Sequence, residues 1–192
     1  LLQRARENNV RFNPSKLQLQ VKSVVYMGHV VSQDGISPDP SKVKAITDYP
    51  PPKSREDLMR FNGMVNYISR YIPNFSDLTF PYRQLLKKDA PWSWAEPQQV
   101  AFNNIKRAIA KAPVLGYYDQ SRPLIIQTDA SSKGLGSCLL QDGHPISYAS
   151  RALTDCETRY AQIEKELLAI VFACEKFNNY VYGRDVLVQS DH

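Results

Sequence analysis

Residues 24–31, Val24-Val25-Tyr26-Met27-Gly28-His29-Val30-Val31, are apolar and β-branched, and Gln33-Asp34-Gly35 is a turn signal. Ahead of them Leu17-Gln18-Leu19-Gln20-Val21 alternates apolar and polar. A hairpin-like β segment is therefore predicted within 1–37. Pro38 and Pro40 then break the chain, a short helix fits 41–48, and Pro50-Pro51-Pro52 reads as a stiff extended linker. Ser54 opens the next helix with Asp57 three residues on, an N-terminal capping signal. Leu58, Phe61, Val65, Ile68 and Ile72 keep helical spacing up to Pro73. A shorter helix is predicted at 81–88, with Trp92 and Trp94 in the loop after it. Another is predicted at 96–112, with Val100, Ile105, Ala108, Ile109 and Ala112 as its inner stripe.

After Tyr118-Asp119-Gln120 the pattern changes. Strand-like runs occupy 123–129, 134–141 and 145–150, a long helix 157–181, and a fourth, terminal strand the run 186–192, with its carboxylate at Asp191. Three strands, a helix and a strand form an α/β unit. On a 100° wheel Tyr160, Ile163, Leu167, Ile170, Cys174, Phe177 and Val181 make one stripe of the long helix. Glu166 lies on its margin, Glu164 off the other margin, and Lys165 points outward. The overall class is α+β with an α/β part: a β-hairpin piece at 1–37, a helical unit at 38–118 and an α/β domain at 119–192.

Composition changes this picture little. The chain has 192 residues, 43% hydrophobic and 22% charged, ordinary for a globular protein. No apolar run approaches the ~20 residues of a membrane span. The first residues carry neither a Met nor an apolar signal core, so they read as a cut within a longer protein rather than a targeting signal. Cys138, Cys156 and Cys174 are odd in number and far apart, which favours reduced thiols and an intracellular setting, cytoplasmic or nuclear. Cys174, on the apolar helix face, is expected buried.

Charge changes it more. The net charge of +5 divides into 17 Lys/Arg against 10 Asp/Glu over 1–120, and 7 against 9 over 121–192. The basic part suits an anionic polymer, and the acidic part suits cations. Within the acidic part, two strand-like runs end in carboxylates, Asp129 and Asp191, and the helix between them carries Glu166. Hard cations such as Mg²⁺ take such oxygen ligands, and two ions together activate water against a phosphodiester. The same residues also fit solvated strand ends. His144 belongs to a turn, His192 is expected exposed, and no phosphate-binding Gly loop or Cys/His nucleophile pair occurs.

An ordered set of motifs resembles the reverse transcriptase–ribonuclease H segment of gypsy-type retrotransposon polyproteins. Tyr26-Met27-Gly28-His29-Val30-Val31-Ser32, Gly35-Ile36 and Asp39-Pro40-Ser41-Lys42 resemble the end of the polymerase palm and its primer grip. Asn66-Tyr67, Arg70-Tyr71-Ile72-Pro73-Asn74-Phe75-Ser76, Leu85-Leu86-Lys87-Lys88, Trp94 and Ala112-Pro113-Val114-Leu115 resemble the thumb. Thr128-Asp129-Ala130-Ser131, Gly134-Leu135-Gly136, Tyr148-Ala149-Ser150-Arg151, residues 163–170, Tyr182-Gly183-Arg184 and Asp191-His192 resemble the RNase H domain.

The resemblance implies that Asp129, Glu166 and Asp191 are three of four metal carboxylates, binding two Mg²⁺ (or Mn²⁺) ions to hydrolyse RNA in an RNA–DNA hybrid. It implies that Met27, Gly28 and His29 form the primer grip, and it makes Lys53, Arg55, Arg60 and Arg70 phosphate contacts without sequence preference. The partners implied are hybrid or primer–template nucleic acid and the rest of the polyprotein, in a virus-like particle or the nucleus, with no membrane. The polymerase's paired aspartates are absent, since no Asp-Asp occurs. That motif is expected upstream, and the fourth carboxylate beyond His192, so the RNase H-like domain is expected to be C-terminally truncated here. The departures from the family pattern are Asn62 and Ser190. A non-catalytic nucleic-acid-binding remnant is the alternative.

Overall fold

A computed structural model describes every residue of the chain except Leu17, Leu19 and His192. The alternation predicted over 17–21 and the expectation for His192 therefore lie outside the described residues. The chain begins with α1 (Leu2–Glu7) and then forms β1 (Ser23–Tyr26), β2 (His29–Ser32) and β3 (Gly35–Pro38). These make an antiparallel meander in which Val24 pairs with Val31 and Val31 with Ile36. The apolar run is thus not one strand. Met27 and Gly28, at φ +47° and +70°, turn it back on itself, the left-handed pair of a tight hairpin turn.

Four helices follow: α2 (Pro40–Thr47), α3 (Arg55–Tyr67), α4 (Phe75–Arg83) and α5 (Glu96–Ala110). Asp39 caps α2 by accepting from Ser41 N, and Ser54 caps α3 by accepting from Asp57 N. The stripe Leu58, Phe61, Val65, Ile68 and Ile72 is fully buried, although α3 stops at Tyr67 and only a short 3₁₀ turn carries the chain on to Pro73. The predicted helix at 81–88 starts earlier, at Phe75, with Pro81 inside it. In α5 the buried face is Ala101, Phe102, Ile105 and Ile109, and Val100 is exposed, contrary to the predicted stripe. Phe61 and Phe102, with ring centres 4.6 Å apart, hold the middle of this core with Tyr82 and Trp94 around them. Arg55 ties α3 to the end of the next helical stretch by donating to the carbonyls of Leu85, Lys87 and Ala90. Leu115 then returns to β3 through paired backbone hydrogen bonds with Ile36, and Gly35 at φ +136° lets the chains close, since a Cβ there would lie 2.2 Å from the Leu115 carbonyl.

The second sheet runs β6 (His144–Ala152), β5 (Gly134–Gln141), β4 (Leu124–Ala130), β7 (Val186–Gln189), with β4 and β7 parallel and the other pairs antiparallel. Between β6 and β7 stand α6 (Gln162–Lys176) and α7 (Asn178–Val181). The predicted long helix therefore begins at 162 rather than 157, after a 3₁₀ turn, and breaks at Phe177.

The buried face of α6 also corrects the wheel. Lys165, Glu166, Ala169 and Ala173 are buried against the sheet, whereas Ile163 and Leu167 are 55% and 58% exposed and Cys174 is exposed. Small Ala169 and Ala173 let the helix approach β4 and β5 closely, so the bulkier apolar side chains turn away. The other face of this sheet receives the helical unit: Ser76 N donates to Ser150 Oγ at 2.9 Å, and Gly134 leaves room for Ser76 and Asp77. The sheet is covered by α6 on one face and by α4 with the preceding turn on the other. Among the described residues no helix is long and apolar enough to cross a membrane.

Candidate active site

The parallel pairing of β4 and β7 places the first carboxylates. Gln127 pairs with Gln189, and their side-chain amides meet at 2.9 Å. Two residues further along the chain from each stand Asp129, still in β4, and Asp191, just past the end of β7. Both line a pocket of about 480 Å³ between the sheet and Pro73-Asn74, with Gly136, Ser137, Cys138 and Tyr148 as its floor.

Glu166 comes from α6, behind the sheet. It is 4% exposed, and its carboxylate is held at both oxygens: Gln162 Nε2 donates to Oε1 at 2.8 Å and Ser190 Oγ to Oε2 at 3.2 Å. Gln162 also donates to the Ala130 carbonyl at 2.6 Å, so Glu166 is tied to the residue after Asp129 and to the residue before Asp191.

Burial pushes the Asp129 carboxyl up, and the negative charges of Asp191, Glu166 and Asp77 push it further. Carboxylates that destabilise one another at one pocket could hold a cation, and their oxygens suit a hard divalent ion. In this arrangement Asp129 and Asp191 share the pocket while Glu166 stands behind it, and among the described residues no group of three His, Cys, Asp or Glu side chains is drawn together as a ready-made metal cluster.

Sequence reasoning missed the contributions of the helical unit. Asn74 is left-handed at φ +48° and presents its amide to Asp129 Oδ2 at 3.5 Å, and a Cβ on Gly136 would lie 2.4 Å from its Oδ1. Asp77 accepts from Ser131 Oγ at 3.0 Å, on the turn that follows β4. The signal present in sequence was an Asn directly after Pro73, a pair that favours a turn.

The remaining predicted residues lie elsewhere. Met27, Gly28 and His29 form the tight turn of the meander and its exit. Tyr67 donates to the Met27 carbonyl, its ring stacks on His29 at 5.6 Å, and a Cβ on Gly28 would lie 2.9 Å from that ring. Tyr71 OH and His29 Nδ1 are 2.7 Å apart, and burial with the nearby Arg70 charge lowers the His29 pKa from its ordinary 6.5. Arg70 lies against the Tyr71 ring, Arg60 pairs with Asp57 at 3.1 Å, and the Arg55 guanidinium is occupied by backbone carbonyls. Lys53 is exposed in the linker after the prolines.

Residues 94–188 match the model of the RNase H-like domain found in reverse transcriptase. The chain is 40% identical over 185 residues to the retrovirus-related Pol polyprotein from transposon 297 of Drosophila melanogaster, covering 96% of this chain and 18% of that protein. It is 37% identical over 197 residues to the Pol polyprotein from transposon gypsy of the same organism, covering 96% and 19%. It is 32% identical over 186 residues to the Tf2-3 polyprotein of Schizosaccharomyces pombe, covering 94% and 14%. The chain therefore spans less than a fifth of the length of these relatives. A solved foamy viral protease–reverse transcriptase in complex with RNA/DNA hybrid superposes with a TM-score of 0.82 at 24% identity, covering 93% of this chain and 25% of that one, a likeness of fold.

Proposed function

We propose, from the premise that this chain belongs to the RNase H-like domain family of retroelement Pol polyproteins, that it carries the carboxylate centre which hydrolyses the RNA strand of an RNA–DNA hybrid. The observation that supports this most is that Asp129 and Asp191, each two residues past the paired Gln127 and Gln189, line one pocket, with Glu166 fixed to the residues beside them. Asp129, Glu166 and Asp191 would hold Mg²⁺ or Mn²⁺. When bound, the ions supply an activated water and charge stabilisation at the phosphodiester. The chain's own residues do the rest. Gln162 and Ser190 hold and aim the Glu166 carboxylate, Asn74 steadies Asp129, and the pocket floor limits how deeply a sugar-phosphate strand enters. The Met27–Gly28 turn would position a primer end through backbone groups, and Lys53, Arg60 and Arg70 would add salt-sensitive phosphate contacts. Arg55 is better employed as an internal clasp.

The domain division at 37/38 and 118/119 belongs to the same proposal, with palm, thumb and RNase H-like parts in order. The larger polyprotein's polymerase activity is likewise proposed for the parent protein rather than for this chain, which contains no Asp-Asp pair.

The test is cleavage of a labelled RNA–DNA hybrid with Mg²⁺ or Mn²⁺ by the wild-type chain and by Asp129→Asn and Glu166→Gln. RNA-strand cleavage lost in both variants is expected. Equal cleavage by wild type and Asp129→Asn would contradict the assignment. That the described residues contain no ready-made three-ligand cluster favours a second reading, nucleic-acid binding without cleavage. That reading predicts salt-sensitive hybrid binding by all three proteins with the RNA intact.

A further inference from the structure

A second cavity, of about 590 Å³, opens along the seam where the helical unit meets the second sheet. Its helical wall is Phe80, Arg83, Gln84 and Lys87, and its sheet-side wall is Lys133 with the chain around Leu153 and Thr154. Three cations thus converge from two separate parts of the chain. Lys133 Nζ lies 5.0 Å over the Phe80 ring, which holds its stem across the mouth of the cavity. One acid, Asp155, also lines the cavity; its side chain is 93% exposed and reaches Lys87 only at 3.8 Å, and the Asp77 charge acts on Arg83 from outside the lining. The Asp155–Lys87 pair is solvated and weak. The neighbouring acid Glu157 is already neutralised by a double hydrogen bond from Arg151, 2.8 Å at each nitrogen. The cavity therefore keeps an excess of positive charge.

Its place matters as much as its charge. Lys133 stands on the turn directly after β4, four residues beyond Asp129. Asp77 accepts from Ser131 on that turn, and its charge acts on both Asp129 and Arg83. The cation cavity and the carboxylate pocket both lie where the helical unit meets the second sheet, the one lined from the end of α4 and the other from Asn74 just before it.

We propose that Arg83, Lys87 and Lys133 form a phosphate-binding site that grips the sugar-phosphate backbone of the nucleic acid whose strand lies in the Asp129–Asp191 pocket; this rests on the nucleic-acid reading of that pocket. The site reads charge and spacing, not base sequence. It makes the junction between the helical unit and the sheet part of the binding surface, which places the strand relative to the carboxylates.

The test is equilibrium binding of a labelled RNA–DNA hybrid to the 192-residue chain carrying Asp129→Asn, so that cleavage plays no part. Affinity is followed as a function of salt. Adding Lys87→Gln and Lys133→Gln is expected to weaken binding at low salt about tenfold or more and to flatten the salt dependence by about one to two released counterions. Both lysines are exposed, so the fold is expected to survive, as checked by thermal melting; Arg83→Gln is the half-buried third variant. Lys42→Gln with Lys176→Gln, exposed lysines outside the cavity, is the control and should change the slope less. Inorganic phosphate at millimolar concentration should compete only weakly, because one phosphate lacks the neighbours of a polymer. An unchanged affinity and salt slope in the Lys87/Lys133 variant would overturn the site. Hybrid binding that is lost in that variant, while the parent chain fails to cleave RNA, would uphold the site and count against the cleavage reading alone.

Discussion

The Met27–Gly28 turn and the Asp129–Asp191 pocket are both proposed to meet nucleic acid, yet they are built in opposite ways. Around the turn the polar groups of Met27, Gly28 and His29 meet hydroxyl and backbone partners. Tyr67 holds the Met27 carbonyl, Asp39 N donates to the Gly28 carbonyl at 3.0 Å, and Tyr71 meets His29. In the pocket, like charges face one another, and the Asp129 carboxyl is pushed up by burial and by three neighbouring acids. The turn is finished by folding, as suits a part that positions through backbone geometry. The pocket is left electrostatically incomplete, as suits a part completed by a cation. Stability and activity should therefore respond in the same direction at the turn and in opposite directions at the pocket.

The largest expected effect breaks the two apart at the pocket. Asp129→Asn should lower RNA cleavage by roughly 10³-fold or more, in the range of removing a principal transition-state-stabilising group. It should also raise the melting temperature in metal-free buffer. The sign follows from the raised pKa: at pH values above the folded-state pKa the ionised Asp129 costs stability, and an amide removes that cost. A melting temperature that falls with Asp129→Asn would sink the contrast.

Gly28→Ala comes next. A φ of +70° and a Cβ 2.9 Å from the Tyr67 ring should together cost about 1–2 kcal/mol in denaturant unfolding. Tyr71→Phe should cost about 1 kcal/mol by removing the partner of His29.

A smaller effect is the pH response of the turn. Because the His29 pKa is lowered, its contribution is present above about pH 6.5 and is lost as the pH falls below that value toward the folded-state pKa. Stability of wild type should therefore fall on acidification through that window, and His29→Gln should lessen the fall. Arg60→Ala, an exposed pair with Asp57, should change stability by less than about 0.5 kcal/mol.

How much of this was legible in sequence depended on what covers each residue. The α3 stripe was readable because a core surrounds that helix, so Leu58, Phe61 and Val65 had only one place to go. The same wheel failed on α6. Ile163 and Leu167 look like a core stripe, but the sheet needs a close approach and takes Ala169 and Ala173, with the buried Lys165 and Glu166 beside them. Apolarity alone does not say which face of a helix has small enough side chains to meet a sheet.

The β run at 24–31 hid its turn because Met and Gly both carry apolar scores, and only the left-handed φ at both positions reveals the reversal. Asp129 and Asp191 were readable from strand ends. Asn74 was not, because it reaches Asp129 from 55 residues away in the chain, and the cation cavity was not, because Arg83, Lys87 and Lys133 meet only once the sheet is seated.

Isothermal titration of Mn²⁺ into wild-type chain and into Asp129→Asn, Glu166→Gln and Asp191→Asn, with released protons measured in buffers of different ionisation enthalpy, addresses the pocket most directly. The expected result is saturable binding to wild type, weakened about tenfold or more by each substitution, with proton uptake or release that changes when Asp129 is replaced. Binding of equal strength in all four proteins, or none in wild type at millimolar Mn²⁺, would contradict a carboxylate centre at this end of the sheet.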